Sequence, residues 1–473
     1  MAYKTIVGLE IHVELSTETK AFCSCKNEFG GEPNTRVCPV CLALPGGLPV
    51  LNENIVNYTI MAGLALNCDI KKRSKFDRKN YFYPDLTKGY QITQDDMPIC
   101  KEGYIEVEGD EGKKKVGIFQ IQMEEDTAKS LHTDKNETLM DYNRCGVPLI
   151  EIVTKPDMNS GKEARLFLEK LKSTLTFLDI SDCKMEEGSL RCDVNVNVVD
   201  EETGKKTAVT EVKNLNSFRG VEKAIDFEVE RHIKLLETGT EEIKTTRRWD
   251  DVKNETVLMR VKYTVADYRF APEGDLAPVL LDDERIEEIR KNMPELPEEK
   301  ISRFIESYGI PKYDAEVLVS SKDLSNFFEE TAEKFDDYNM LSNWVMTEVL
   351  RRVDDVEKFE LNFTSEDFIE LLKAVKSEKI NNNAGKKVLR EMFETGKKPD
   401  EIIEEKGLAQ IQDSSEIEGI VDEVLSNNQQ SIEDYKAGKD RALGFLVGQV
   451  MKASRGKANP QIVNKLIREK ISK

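Results

Sequence analysis

The chain has 473 residues, with 69 Lys and Arg against 89 Asp and Glu. The resulting formal charge of −20 excludes indiscriminate polyphosphate binding, because like-charged surfaces repel. With 33% charged and 39% hydrophobic residues it is neither a disordered chain nor a small disulfide scaffold, and its length calls for two or more domains.

The first residues alternate instead of building an apolar signal core, and no run of about 18 apolar residues follows, so a cytoplasmic protein without a membrane partner is expected. The opening strand, Ile6 to Leu15, has strict period two. Glu10, His12 and Glu14 share one face and Leu9, Ile11 and Val13 the other, which reads either as a half-buried strand with a solvated polar side or as part of a site. Cys23, Cys25, Cys38 and Cys41 follow within one compact loop. Nine cysteines, four of them crowded into 23–41, argue against a disulfide framework and for a closed, structural Zn²⁺ site, the alternative being reduced core thiols.

Residues 77–94, DRKNYFYPDLTKGYQITQ, place Arg78, Lys79 and Lys88 among Tyr81, Phe82, Tyr83 and Tyr90, a composition that suits a phosphate and a stacked base, or an aromatic hairpin with solvated lysines. In Phe119–Asp126 the alternation puts Glu125 with Phe119, Ile121 and Met123. Strand ends bulge, so Glu124 and Glu125 both stay open as the inward acid. Glu151 stands alone in the apolar run Val147 to Val153, where a carboxylate needs a partner or a metal. Leu190 to Val198 aligns Arg191, Asp193, Asn195 and Asn197, and Glu211 shares a strand face with Lys213, as a phosphate contact or an ion pair.

Side by side, these strands would gather Glu10, His12, Glu125, Glu151 and Asp193 about one hard cation, Mg²⁺, or Mn²⁺ if His12 is a direct ligand; pairing of each acid with Arg or Lys is the alternative. No P-loop, dinucleotide fingerprint, HExxH or G-x-S-x-G motif occurs, and three histidines leave little material for a nucleophile system, so any ATP would bind in an unusual pocket on the sheet. Beyond residue 293 the pattern turns to 3.6-residue periodicity, with a second seam near 408. This predicts an α+β chain of a sheet domain (1–293), an all-α domain (294–407) and a small helical tail (408–473). Residues 436–473 carry ten Lys and Arg against two acids, and their two amphipathic helices flank a loop from Arg455 to Pro460; the sign reversal points to a local polyanion footprint that includes Lys452, Arg455 and Lys457.

Together, VGLEIHVEL, CPVCLALPGGLPVLN, DRKNYFYPDLTKGYQITQ, DYNRCGVPLIEIV, MEEGSLRCDVNVNV, EVKNLNSF and FLVGQVMKASRGKANP resemble the B subunits of the aspartyl/glutamyl-tRNA amidotransferases across nearly the whole chain. Cys145 departs from the Ser or Ala more usual there. The related archaeal E subunits carry an insertion where this chain passes directly from APVLLDDERI to MPELPEEK. The resemblance implies a glutamine-synthetase-like cradle domain and a tail that contacts the tRNA elbow. It also implies ATP-dependent phosphorylation of the side-chain carboxylate of Glu-tRNA(Gln) or Asp-tRNA(Asn), followed by displacement of phosphate by ammonia. A glutaminase partner, the family's A subunit, would deliver that ammonia through a tunnel, and the C subunit would clasp the other two. On this reading Glu10, His12, Glu125, Glu151 and Asp193 hold Mg²⁺, while Arg78, Lys79, Tyr81, Lys88 and Lys213 meet ATP and its phosphates.

Overall fold

The computed structural model describes residues 3–109, 112–261, 267–411, 414–436, 439, 441–454 and 457–472. Chain contacts divide it at residue 297, where composition predicts 293, into units 1–297 and 298–473. The chain is α+β.

In the first unit nine strands, among the described residues, form one sheet. From edge to edge they are Glu255–Val261, Thr245–Asp250, Thr210–Lys213, Leu190–Asp200, Tyr3–Glu14, Pro148–Thr154, Gly112–Glu125, Cys100–Gly109 and Asp69–Ile70. The amino-terminal strand is central, paired antiparallel with Pro148–Thr154 on one side and Leu190–Asp200 on the other. Its Val7, Leu9, Ile11 and Val13 are buried against the helices Gly161–Phe177 and Phe218–Thr238. Each such side chain contributes about 1.5–3 kcal/mol on burial. A slip of one residue would drive Glu10, His12 and Glu14 into that core, so the register is fixed.

The first of these helices starts at Ser160, whose hydroxyl accepts from the Glu163 amide, and buries Ala164, Phe167, Leu168, Leu171 and Leu175 at 3–4-residue spacing. The second is capped by Ser217 and stops at Gly239, in the left-handed conformation (φ 66°) that glycine adopts without a Cβ clash. It carries the chain over to the parallel pair Thr210–Lys213 and Thr245–Asp250, since parallel neighbours need a crossover. With both helices on the apolar face, the other face is left to polar side chains.

A small sheet of Asp77–Asn80, Tyr90–Thr93 and Ala271–Pro272 lies at the Glu125 end of the Gly112–Glu125 strand. It is pinned there by the Ile92 amide, which donates to Glu125 Oε1 at 3.0 Å, and by Gln91 and Thr93, which donate to Glu124.

The second unit is helical. Phe304, Phe328, Leu341, Trp344, Phe368, Leu372 and Leu389 are buried, with the Phe304 and Phe328 rings 5.2 Å apart. A separate core joins the helices Ser414–Ser426, Arg441–Ala453 and Pro460–Ser472 through Ile417, Val421, Leu446, Val450, Val463 and Ile467. Among the described residues no helix is long and apolar enough to cross a membrane.

Candidate functional site

Antiparallel pairing sets Arg191, His12, Glu151 and Gln122 directly opposite one another across four strands, with Asp193 opposite Glu10 one step along. On this polar face His12 Nε2 lies 3.7 Å from Glu124 Oε2 and 3.9 Å from Glu151 Oε1. The ligand atoms of these three residues all lie within 4.8 Å of one another. One imidazole and two carboxylates so placed suit a hard divalent cation of the Mg²⁺ or Mn²⁺ type.

The electrostatics fit such an ion. Burial keeps His12 below its ordinary value, outweighing Glu124, so the ring is neutral and can act as a ligand. Burial opposes ionisation of Glu124. Lys79, His12 and hydrogen bonds from Thr93 and Gln122 nevertheless hold its carboxyl below the usual range. Glu151 is pushed well above that range by burial and then by Glu124, more than Lys79 can offset. Burial works against the Lys79 charge, but Glu124 and Glu151 sustain it, and its ammonium lies 5.1 Å from the Tyr268 ring centre. A half-buried lysine therefore faces the acids, able to meet a phosphate.

Glu10 and Asp193 belong to the same face, with Glu10 accepting from Asn195 at 3.0 Å. Asp193 accepts from Lys213, which also pairs with Glu211 at 3.0 Å. Glu125, expected in the ligand set, points away: Lys88 holds it at 2.6 Å, and both line a cavity of about 210 Å³ with Phe22, Cys23, Cys41 and Tyr90. The ladder from Pro148↔Glu125 to Val153↔Gln120 runs without a bulge, so the phase of Gln120 and Gln122 carries Glu124 to the polar face instead.

Arg78 is also committed elsewhere. It forms a two-pronged pair with buried Glu273 at 2.8 and 2.7 Å and meets Asp275 at 3.1 Å. Tyr81 packs edge-on against Tyr83 and Tyr268 and donates to Gln91 at 3.4 Å, while Phe82 is 80% exposed.

In the cysteine loop all four sulfurs lie within 4.8 Å of one another. The Cys38 and Cys41 sulfurs are 3.8 Å apart, the edge of a tetrahedron with Zn–S bonds of about 2.3 Å. The Cys38 amide donates to Cys41 Sγ at 3.1 Å, and the buried Lys20 ammonium lies 3.8 Å from the same sulfur. A hydrogen bond from Cys23, then the Cys38 amide and Lys20, outweigh burial and bring the Cys41 thiol down to about 5. The four residues fit a closed zinc site.

In the tail, Lys452 is exposed near the end of Arg441–Ala453 and Lys457 is half-buried after it; Arg455 lies outside the described residues.

The sequence profile of the GatB/GatE catalytic domain matches residues 5–287, and that of the GatB domain matches residues 326–471. The chain belongs to the GatB family. It is 54% identical over 476 residues, covering all of both chains, to the B subunit of the aspartyl/glutamyl-tRNA(Asn/Gln) amidotransferase of Clostridium botulinum (strain Okra / Type B1). The identity is also 54%, over the same full coverage, to the protein of that name from Clostridium tetani (strain Massachusetts / E88). GatB membership makes the chain an enzyme subunit of the ligase-type amidotransferases, and the polar face lies wholly within the segment matched as catalytic.

Proposed function

We propose that this chain is the kinase and amide-forming subunit of a cytoplasmic assembly converting Glu-tRNA(Gln), Asp-tRNA(Asn) or both into the Gln and Asn forms. The observation that carries this reading is the convergence of His12, Glu124 and Glu151 beside Lys79 on the polar face of a GatB-family sheet. A carboxylate resists attack by ammonia, so it must first acquire a leaving group. One oxygen of the substrate carboxylate attacks the γ-phosphorus of ATP, the bond to the β-phosphate oxygen breaks, and ADP departs. Ammonia then attacks the acyl carbon, the carbon–oxygen bond to phosphate breaks, phosphate leaves with the electron pair, and one N–H proton passes to solvent.

His12, Glu124 and Glu151 would hold Mg²⁺, which would supply charge neutralisation for the phosphates, and Glu10 and Asp193 belong to the same polar face. Lys79 adds a fixed positive charge that needs no reorganisation, and Lys213 holds Asp193 in place on the flank. Tyr81 walls the aromatic side near Tyr268. The four cysteines would hold a structural Zn²⁺.

Ammonia comes from a partner. His132 lies on an exposed hairpin with Thr138, and His232 is sealed among Thr207, Thr210 and Glu228, so neither serves a glutaminase. The glutaminase and clasping partners of the family, its A and C subunits, complete the assembly, and a shielded route keeps ammonia unprotonated. Lys452, Arg455 and Lys457 serve the tRNA backbone. Incubating the full assembly with misacylated tRNA, labelled ATP, Mg²⁺ and glutamine should yield amide with ADP in equal amount. Unchanged amide yield after Glu124→Ala or Glu151→Ala would refute the reading.

A further inference from the structure

Arg191 lies on the polar face directly across from His12, on the flank where Glu14 and Asp126 sit. Its Nη2 donates to Asp126 Oδ2 at 2.7 Å. Asp126 is itself buried and fixed by the Thr127 amide at 2.8 Å and by Arg144 Nε at 3.4 Å. The guanidinium is therefore anchored at one corner by a carboxylate that is itself held by a backbone amide and a second arginine. Its Nε–H, by contrast, is buried with no acceptor. Natural structures rarely leave a buried donor empty, so this N–H calls for an acceptor from outside the chain.

The charges around the face indicate what that acceptor is. Lys79 senses Glu124, Glu151 and Glu10, and Arg191 senses Asp126 and Glu14 first and Glu124 after them, so the two cations share one acid of the row. The reaction brings two anions together, a triphosphate and a carboxylate, and two cations, Lys79 and Arg191, both act on His12 and Glu124. A guanidinium is the group best shaped to hold an oxyanion by a directed N–H.

We propose that Arg191 donates its free Nε–H to an oxyanion of the reacting pair, either the substrate side-chain carboxylate or the γ-phosphate, and so sets the line of attack between them. The inference rests on the function proposed above and adds a substrate-binding residue to it.

The test compares wild type, Arg191→Lys, Arg191→Met and Arg191→Ala in the complete assembly, with KM measured separately for misacylated tRNA and for ATP. Arg191→Met should lower kcat/KM by about 10- to 100-fold, the worth of a charge-assisted hydrogen bond. A KM rise confined to the misacylated tRNA identifies the carboxylate as the acceptor, and one confined to ATP identifies the phosphate. Guanidinium ion added to Arg191→Ala should restore activity at least severalfold, which a purely structural arginine would not allow. Arg191→Lys, keeping the charge without the fork, should fall between wild type and Arg191→Met and serves as the kinetic variant if Arg191→Met does not fold. Wild-type kinetics in Arg191→Met, or activity lost from every variant without guanidinium rescue, would overturn the inference. A wild-type assembly that forms no amide would instead overturn the proposed function itself.

Discussion

Replacing Glu228 with Gln should cost the first unit about 3 kcal/mol at neutral pH. Glu228 is fully buried on the Phe218–Thr238 helix, where it accepts from Thr256 Oγ1 and from Arg231 Nε at 2.9 Å, with Arg247 Nε at 3.2 Å and His232 Nε2 at 3.3 Å. Burial opposes its charge, but hydrogen bonds from His232 and Arg231, the Arg231 charge and Thr256 together bring its carboxyl from 4.5 down to about 2. That difference corresponds to about 3 kcal/mol of folding stability, within the range for breaking a buried pair. Because the folded-state value is depressed, the contribution is complete above pH 4.5 and is lost as pH falls toward 2. The chain has two tryptophans, Trp249 and Trp344, so urea unfolding in a Trp344→Phe background reports on the first unit through buried Trp249. The stability gap between the parent and its Glu228→Gln variant should shrink by up to about 1.4 kcal/mol per pH unit below 4.5. A gap under about 1 kcal/mol at pH 7, or one that does not change with pH, would refute the reasoning.

Three further outcomes are expected. Glu124→Gln should weaken Mn²⁺ binding, followed by electron paramagnetic resonance, by about 100-fold or more, while Glu125→Gln leaves it within a few-fold; equal losses would dissolve the distinction drawn between the two faces. Lys20→Met removes the buried cation beside Cys41, so zinc should pass to a competing chelator about tenfold faster than from wild type, and unchanged retention would show that the ammonium does not balance the thiolates. Arg78→Met strands the buried carboxylate of Glu273 and should destabilise the first unit by about 3 kcal/mol while leaving KM for ATP unchanged, whereas a raised KM in a stable variant would return Arg78 to the phosphate site.

Local periodicity made much of this site legible. Glu10 and His12 could be put on one face because nothing but alternation was needed, and the four cysteines were legible because their spacing closes one short loop. Choosing between Glu124 and Glu125 required knowing that the ladder with Pro148–Thr154 holds its phase to the strand end, a property of the pair and not of either segment. The engagement of Arg78 was hidden for a similar reason: Glu273 and Asp275 lie almost 200 residues away, and an arginine among aromatic residues has the same appearance whether it meets a phosphate or a carboxylate. Lys20, in the ordinary polar stretch TETKAF, gave no signal of being buried against a sulfur.

The central place of Tyr3–Glu14 has a consequence for how the molecule is made. This strand takes as partners residues 148–154 and 190–200, among which Glu151 and Asp193 are translated long after Glu10 and His12. At the usual 5–20 residues per second the nascent segment waits roughly 7–30 s for its first partner and roughly 10–40 s before both edges are satisfied. Through that interval its Val-Leu-Ile-Val side is bare and its hydrogen-bonding edges are open to any other extended chain, a hazard of long-range pairing. The interval before those partners emerge is therefore when this strand is most exposed to mispairing.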